Sequence, residues 1–379
     1  MKKLLPIYLL NFLLAVSTTI GMTIVPLLAT EKLGMSLLVL GIIEGGSELV
    51  SNLLRLVTGG LFDKVKNRRA IFVIPPVFAF IAKVLLYSPG AVSILVSKVA
   101  ERIGNGMFAA PRDAFVGENS KAKGKALGWL NVTKTFGCVV GPILVSLYVL
   151  LIGPINENII NIILLACVIN FLCIVIAFFI KATKRISQKQ KEVFELTKAK
   201  QHIKSLTPLL VLSFFFFLGR FNDGLILIFL KKQGFPEWYY LATISIFNTI
   251  MLLVSPFMGH WIDKGKERFV LVTTLITLLA FNVLFFNLSR GAWVIAGLGL
   301  IMWGVQRAGA QITFTAMIFK NIPTNYYGTA VGAYSIVSGI GTFISSLICG
   351  YLAADSFTNV FIFSGAFSVI ALIFYYSRP

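Results

Sequence analysis

The stretch GGLFDK at residues 59–64 recurs 200 positions later as GHWIDK at residues 259–264. Both copies keep a glycine, an aspartate four positions further on and a lysine beside it, and further basic residues follow each copy. A single match of this kind is common by chance, whereas several in the same order indicate an internal duplication.

Three further matches follow the first in chain order, at nearly the same spacing. They are RIG at 102–104 with RAG at 307–309, GKALG at 124–128 with GTAVG at 328–332, and Gly137 with Gly341. The sequence therefore predicts two related halves of about 200 residues each.

The composition places both halves in a membrane. Hydrophobic residues make up 57% of the 379 residues and charged residues only 13%, against about a quarter charged in soluble domains. A helix needs roughly 20 apolar residues to cross the hydrocarbon core. Twelve segments qualify: 4–29, 35–62, 69–88, 91–117, 125–152, 158–180, 207–230, 236–262, 269–288, 293–319, 328–352 and 358–376.

The longest polar stretch, 181–206, separates six of these spans from the other six. We therefore expect an all-α polytopic membrane protein of twelve transmembrane helices in two pseudo-symmetric six-helix bundles. Their expected bounds are 1–180 and 207–379, with 181–206 as a basic cytoplasmic linker that could touch anionic lipid.

The distribution of Lys and Arg predicts the orientation. The two termini and the loops after even-numbered spans, with Arg69 and Lys125 at the span starts, hold 22 of these residues, and the loops after odd-numbered spans hold four. Because cytoplasmic loops carry the excess of Lys and Arg, both termini are expected in the cytoplasm. Much of the net charge of +19 is thereby a matter of topology, which removes the case for nucleic-acid binding.

Two six-helix halves joined by a basic loop resemble the major facilitator superfamily of secondary transporters, and the resemblance covers essentially the whole chain. The loop signature GxLaDrxGrk is matched at Gly59, Leu61, Asp63, Lys64 and Arg68, and the fourth-span signature RxxxGxxxA at Arg102, Gly106 and Ala110. The run Pro111-Arg112-Asp113-Ala114 looks like that of a bacterial subgroup with an APRDA motif.

One signature is incomplete. The fifth-span pattern GxxxGPxxGG is present only as Gly137, Gly141 and Pro142, because Val145 and Ser146 replace its closing glycines. This departure weakens the inference of an antiporter. Small residues at four-residue spacing still predict close helix packing here and around Gly341.

Asp63 and Asp263 end even-numbered spans at the predicted cytoplasmic face. A carboxylate there can accept hydrogen bonds from helix-end amides or a neighbouring Arg in one conformation and release them in the other. We expect a gate, although the pair could also serve as topology anchors alone. The gating set is Gly59, Asp63, Arg68, Arg112, Asp113, Gly259, Asp263 and Arg268.

Apart from Arg69, Lys125 and Glu237 at span ends, eight basic and five acidic residues lie inside the predicted spans. A charged side chain at membrane depth is costly unless it faces a cavity or a partner, so each is a functional candidate. Lys83 lies near a span end and is expected to reach the outer surface instead. The predicted solute-binding set is Arg102, Lys134, Arg220, Arg307, Arg55 and Asn105.

Three acids are candidates for proton coupling: Glu44, Glu48 and Asp223. Glu44 and Glu48 share one face of the second span, where two like charges discourage simultaneous ionisation. Asp223 follows Arg220 by three positions and could pair with it within a helix. The alternative is that these acids only balance buried cations.

The excess of buried cations indicates a small anionic solute, since Arg binds a carboxylate or phosphate group through two parallel hydrogen bonds. The expected function is proton-coupled transport by a monomer in a bacterial inner membrane, with no cofactor or metal. The alternatives are efflux of amphipathic drugs and a non-transporting receptor or lipid-handling protein. An enzyme is disfavoured because GxxxxGK[ST], HExxH and a partnered GxSxG are missing from the sequence.

Overall fold

The structure, a computed structural model, describes residues 4–64, 68–120, 123–180, 203–323 and 326–377. Side chains at 55–64, 68–69, 110, 114, 117–118, 123–124 and 328 lie outside the described set. In the first half the helices are α1 Leu5–Leu27, α2 Leu37–Lys64, α3 Arg68–Leu85, α4 Ala91–Glu118, α5 Lys123–Ile152 and α6 Ile155–Phe178. In the second half they are α7 Thr207–Gly219, α8 Asp223–Lys232, α9 Glu237–Asp263, α10 Glu267–Phe286, α11 Trp293–Asn321, α12 Tyr327–Asp355 and α13 Phe357–Tyr376.

Nine helical segments among the described residues are long and apolar enough to cross a membrane. Helices α3, α4 and α11 occupy the third, fourth and tenth predicted spans but are not among the nine. The apolar part of α3 is short, and α4 carries several charges. The all-helical membrane fold is confirmed for the described residues, whereas the count of twelve spans stays a prediction.

Many large apolar side chains point outward. Leu151 is 78% exposed, Val294 73% and Phe179 69%. Apolar exposure on this scale is unfavourable in water but suits the hydrocarbon core of a bilayer.

The seventh predicted span is broken in the middle. Helix α7 ends at Gly219 and α8 begins at Asp223, with residues 220–222 non-helical between them. The carbonyl oxygen that α7 leaves free at Gly219 accepts a hydrogen bond from the Ser364 hydroxyl of α13. Such breaks are tolerated in membranes only where protein partners or a water-filled cavity satisfy the freed backbone groups.

The chain divides into two compact units, and each takes segments from both halves of the sequence. One consists of the described parts of Met1–Ser36, Gly46–Ser187 and Asp223–Asn248, and the other of Leu37–Gly45, Gln188–Asn222 and Thr249–Pro379. In the first, α1 packs on α5 and α6, and α3 packs on α4. In the second, α10 packs on α11 and α13, and α7 packs on α12. The predicted bounds 1–180 and 207–379 follow the sequence repeat and stay a prediction.

The repeat has a structural counterpart inside each unit. A Cβ atom at Gly104 of α4 would lie 2.8 Å from the Pro75 carbonyl oxygen of α3. A Cβ atom at Gly309, the matching residue of α11, would collide with the Thr274 hydroxyl of α10. Each duplicated glycine therefore lets a helix approach the one that precedes it.

The predicted close packing around Gly137, Gly141 and Gly341 is also confirmed. Cβ atoms at the first two would lie 2.8 Å from Ala15 Cβ and 2.6 Å from the Val16 carbonyl oxygen of α1. At Gly341 the nearest atom would be Phe217 Cβ of α7, at 3.1 Å.

Candidate functional site

Arg102 of α4 forms an ion pair with Glu48 of α2. Arg102 Nη1 lies 2.8 Å from Glu48 Oε2, and the two side chains are 15% and 32% exposed. Helical spacing alone had associated Glu48 with Glu44 one turn away, which is buried in the structure. The structure therefore joins a predicted solute ligand to a predicted proton-coupling residue.

Lys83 contradicts the expectation that it reaches the outer surface. Its Nζ lies 2.5 Å from Glu101 Oε1, and the two side chains are 0% and 4% exposed. Ser97 donates to the Ala82 carbonyl oxygen, so Lys83 reaches one helical turn further along α4, away from the turn between the two helices.

Gly21 of α1 explains the direction of Lys83. A Cβ atom at Gly21 would collide with Lys83 Nζ and lie 3.6 Å from Glu101 Oε1. The missing side chain leaves room for the ammonium group beside its carboxylate. An ionic partner is then available within the bundle, and Lys83 has no need to reach water.

Arg112 and Asp113, both predicted gating residues, form a network with α1. Arg112 Nε donates to Asp113 Oδ1 at 2.9 Å, and Arg112 Nη1 donates to Asn11 Oδ1 at 2.8 Å. Asn11 Nδ2 in turn donates to the Leu130 carbonyl oxygen of α5 at 2.8 Å. Arg112 thereby ties together three helices of the first half. Asn11 was not predicted, because one polar residue in an apolar helix has no signature.

Arg220 lies in the break of the seventh span, with an extended backbone at φ −106° and ψ 108°. Its guanidinium carbon lies 5.9 Å from the ring centroid of Phe217 and 6.0 Å from that of Trp303. A guanidinium that packs against ring faces donates hydrogen bonds through its N–H edges, which are the groups that bind anions. The Tyr334 ring packs against Phe217, with the ring centroids 6.2 Å apart.

The break removes the helical spacing from which the Arg220–Asp223 pair was predicted, and the pair itself stays a prediction. Residues 220–222 are not helical, so the two side chains do not follow a helical i, i+3 relation. Asp223 is the first residue of α8, where the helix dipole favours a carboxylate.

The remaining predicted solute ligands are spread over both units. Lys134 of α5 is exposed, while Asn105 of α4 and Arg307 of α11 are partly buried. Arg102 and Lys134 belong to the first unit, and Arg220 and Arg307 to the second. That these four cations converge on one solute stays a prediction.

The predicted gate at the repeated Gly-Asp motif is only partly described. The side chains of Arg55, Gly59, Asp63 and Arg68 lie outside the described residues. Asp263 and Arg268 are exposed, and a Cβ atom at Gly259 would meet nothing within 4 Å. Packing therefore does not demand a glycine at 259.

Contacts that the sequence did not predict join helices of the two sequence halves within the first unit. Ser146 of α5 donates to the Trp238 carbonyl oxygen of α9 at 2.6 Å. Ser245 of α9 donates to the Val139 carbonyl oxygen of α5 at 2.5 Å. Lys231, at the end of α8, pairs with Glu31 in the π-helical turn Leu28–Lys32 that follows α1.

A second set of such contacts lies within the other unit, between α2 and α12. A Cβ atom at Gly41 would collide with the Ser346 carbonyl oxygen. A Cβ atom at Gly350 would lie 2.5 Å from the Leu37 carbonyl oxygen. Gly41 and Gly45 are four residues apart, and this spacing was the available signal for a close helix contact. Most of the contacts in both sets lie in the helix halves next to the loops that follow odd-numbered spans.

Comparison with known proteins agrees with this fold. Residues 7–346 match the Major Facilitator Superfamily. An MFS-type transporter of Methanocaldococcus jannaschii, MJ1317, is 26% identical over 380 residues, which cover 96% of this chain and 92% of the relative.

Solved structures show the same architecture at low identity. The nucleoside transporter NupG superposes with a TM-score of 0.80 at 12% identity, covering 99% of both chains. A D-xylose-proton symporter superposes with a TM-score of 0.74 at 16% identity, covering 99% of this chain and 97% of that one. These likenesses concern the fold alone.

Proposed function

We propose, from the premise that this chain belongs to the Major Facilitator Superfamily and is a multi-pass membrane transporter rather than an enzyme, that it moves a small anionic solute by proton-coupled alternating access. The solute would bind between the two sequence halves and be exposed to each side of the membrane in turn. Both termini would lie in the cytoplasm of a bacterial cell.

The charge balance inside the spans supports an anionic solute. Three of the eight intramembrane bases, Lys83, Arg102 and Arg112, pair with three of the five acids. Pairing removes equal numbers of each sign, so the excess of three bases over acids is unchanged. A solute carrying carboxylate or phosphate would reduce the cost of holding this excess at membrane depth.

Arg102 and Lys134 are the proposed ligands in the first half, and Arg220 and Arg307 in the second, with Arg55 and Asn105 beside them. The aromatic rings of Phe217 and Trp303 support this role because they orient the guanidinium of Arg220. An anion held by both halves would link binding to their movement.

The contacts between α5 and α9, α8 and α1, and α2 and α12 are proposed as the closed outer gate. Opening to the outside would require the Ser146 and Ser245 hydrogen bonds and the Lys231 ion pair to break. Asp63 and Asp263 would act at the cytoplasmic ends in the opposite phase. The outer contacts would stabilise one conformation and the cytoplasmic contacts the other, as alternating access requires.

Proton coupling is proposed to pass through Glu48. An anionic solute that approaches Arg102 competes with the Glu48 carboxylate for the same guanidinium. The released carboxylate could then take up a proton, which links solute binding to protonation. Asp223 and Glu44 are the further candidates. A proton symporter for D-xylose has this fold, so proton coupling is compatible with the architecture.

The direct test is uptake into proteoliposomes of a panel of carboxylates, phosphate esters and cationic dyes, with and without a pH gradient. We expect an anion to accumulate and Arg102→Gln to abolish its accumulation. The matched control is Arg290→Gln, which removes a charge from an exposed loop. Transport of cationic dyes that survives Arg102→Gln, Lys134→Gln and Arg307→Gln would favour drug efflux instead.

A further inference from the structure

A cavity of about 540 Å³ opens between the ends of α7, α10, α11 and α13. Its deeper wall is apolar, with Leu209, Leu212, Leu271, Met317 and Phe374 among the lining residues. Leu212 lies five residues beyond the start of α7, roughly 8 Å into the helix. The volume falls in the range of small-molecule sites.

Among the described residues, the rim of this cavity is polar and includes the cation of Arg268. Arg268, Asn321, Tyr375 and Tyr376 line it near the helix ends. Tyrosine and basic side chains at helix ends are typical of the level of lipid headgroups.

Arg268 forms no ion pair within the described residues. Glu267, beside Arg268 in sequence, pairs with Lys320 of α11 instead. The described part of the chain places no carboxylate within ion-pair distance of Arg268. The cavity thus combines an apolar interior with a cation at its mouth.

We infer that this cavity binds one anionic phospholipid, with its phosphate on Arg268 and an acyl chain along Leu209, Leu212 and Phe374. An apolar chain explains the interior, and a phosphate explains the cation, which binds phosphate with two parallel hydrogen bonds. The basic loops predict that this end faces the cytoplasmic leaflet, where anionic lipids concentrate. The inference depends on the membrane fold and not on the identity of the solute.

The test uses the full-length protein in mild detergent, delipidated and then supplied with phosphatidylglycerol, phosphatidylcholine or inorganic phosphate. Native mass spectrometry measures retained lipid, and thermal unfolding measures stabilisation. We expect one tightly held phosphatidylglycerol, little phosphatidylcholine, and about tenfold weaker phosphatidylglycerol binding in Arg268→Gln. Arg268→Lys should restore part of the affinity.

Lys266→Gln is the matched control, since it removes the same charge two residues away from a side chain that is exposed and does not line the cavity. It should bind phosphatidylglycerol like the unaltered protein. Equal loss in both variants would overturn the inference in favour of diffuse attraction to the basic surface. Stabilisation by inorganic phosphate equal to that by phosphatidylglycerol would overturn it in favour of a free-anion site.

Discussion

Lys83 Nζ and Glu101 Oε1 lie 2.5 Å apart in a place where both side chains are almost completely buried. A buried pair of this kind is costly to break, because removal of one partner leaves an uncompensated charge at membrane depth. Gly21 of α1 provides the space that the pair needs.

The first prediction concerns this pair. Lys83→Met should destabilise the protein by about 3–5 kcal/mol, while Lys83→Met combined with Glu101→Leu should recover much of the loss, because no isolated charge remains. Unfolding in detergent measures both. Lys320→Met is the control, because Lys320 forms an exposed pair with Glu267 and such pairs contribute about 1 kcal/mol or less. A double variant as unstable as Lys83→Met would contradict the argument.

The second prediction concerns proton coupling. Glu48→Gln and Asp223→Asn should each abolish accumulation driven by a pH gradient and leave solute exchange measurable, because exchange needs no net proton movement. Glu157→Gln, at the exposed start of α6, should leave both activities intact. Accumulation that persists in both variants, or that follows a sodium gradient at constant pH, would show that protons are not coupled through these acids.

The third prediction concerns the cytoplasmic gate. Asp63→Asn should slow transport with little loss of solute binding, because a change of a few kcal/mol redistributes two conformations without touching the solute site. Distances between spin labels on the two sequence halves report the shift. Asp355→Asn is the control, because Asp355 ends α12 at the predicted outer face. This variant should leave the distances unchanged. Identical distributions for Asp63→Asn and the unaltered protein would remove Asp63 from the gate.

The fourth prediction concerns the contact between α2 and α12. Gly41→Leu should separate these helices, because its Cβ alone would collide with the Ser346 carbonyl oxygen. Spin labels at Val39 and Tyr351, both exposed, should move apart and outer accessibility should rise. Gly297→Leu is the control, since a Cβ there meets nothing within 4 Å. An unchanged distance in Gly41→Leu would mean that this contact does not act as a gate.

The fifth prediction concerns topology. In a variant whose four cysteines are replaced by serine, Lys191→Cys should be labelled only from the cytoplasmic side and Lys232→Cys only from outside. The reason is the excess of Lys and Arg in the loops after even-numbered spans. Labelling of both positions from outside intact cells would reject the assigned orientation.

Membrane class, internal duplication and family were readable from the sequence, because they depend on local properties. Hydropathy over about 20 residues marks a membrane segment wherever the segment packs. The match between Gly104 and Gly309 was likewise predicted from the sequence repeat, and both glycines pack against the preceding helix.

Pairing across helices was decided by the tertiary structure alone. Helical spacing associates Glu48 with Glu44 but carries no information on Arg102, which approaches from another helix. Lys83 turns inward because Gly21, 62 positions earlier, lacks a side chain. Continuous hydropathy across 207–230 hid the break at Arg220, which is stable because the Ser364 hydroxyl of α13 satisfies the freed Gly219 carbonyl. Composition along one helix determines that it enters the membrane, and neighbouring helices determine which of its polar groups find partners there.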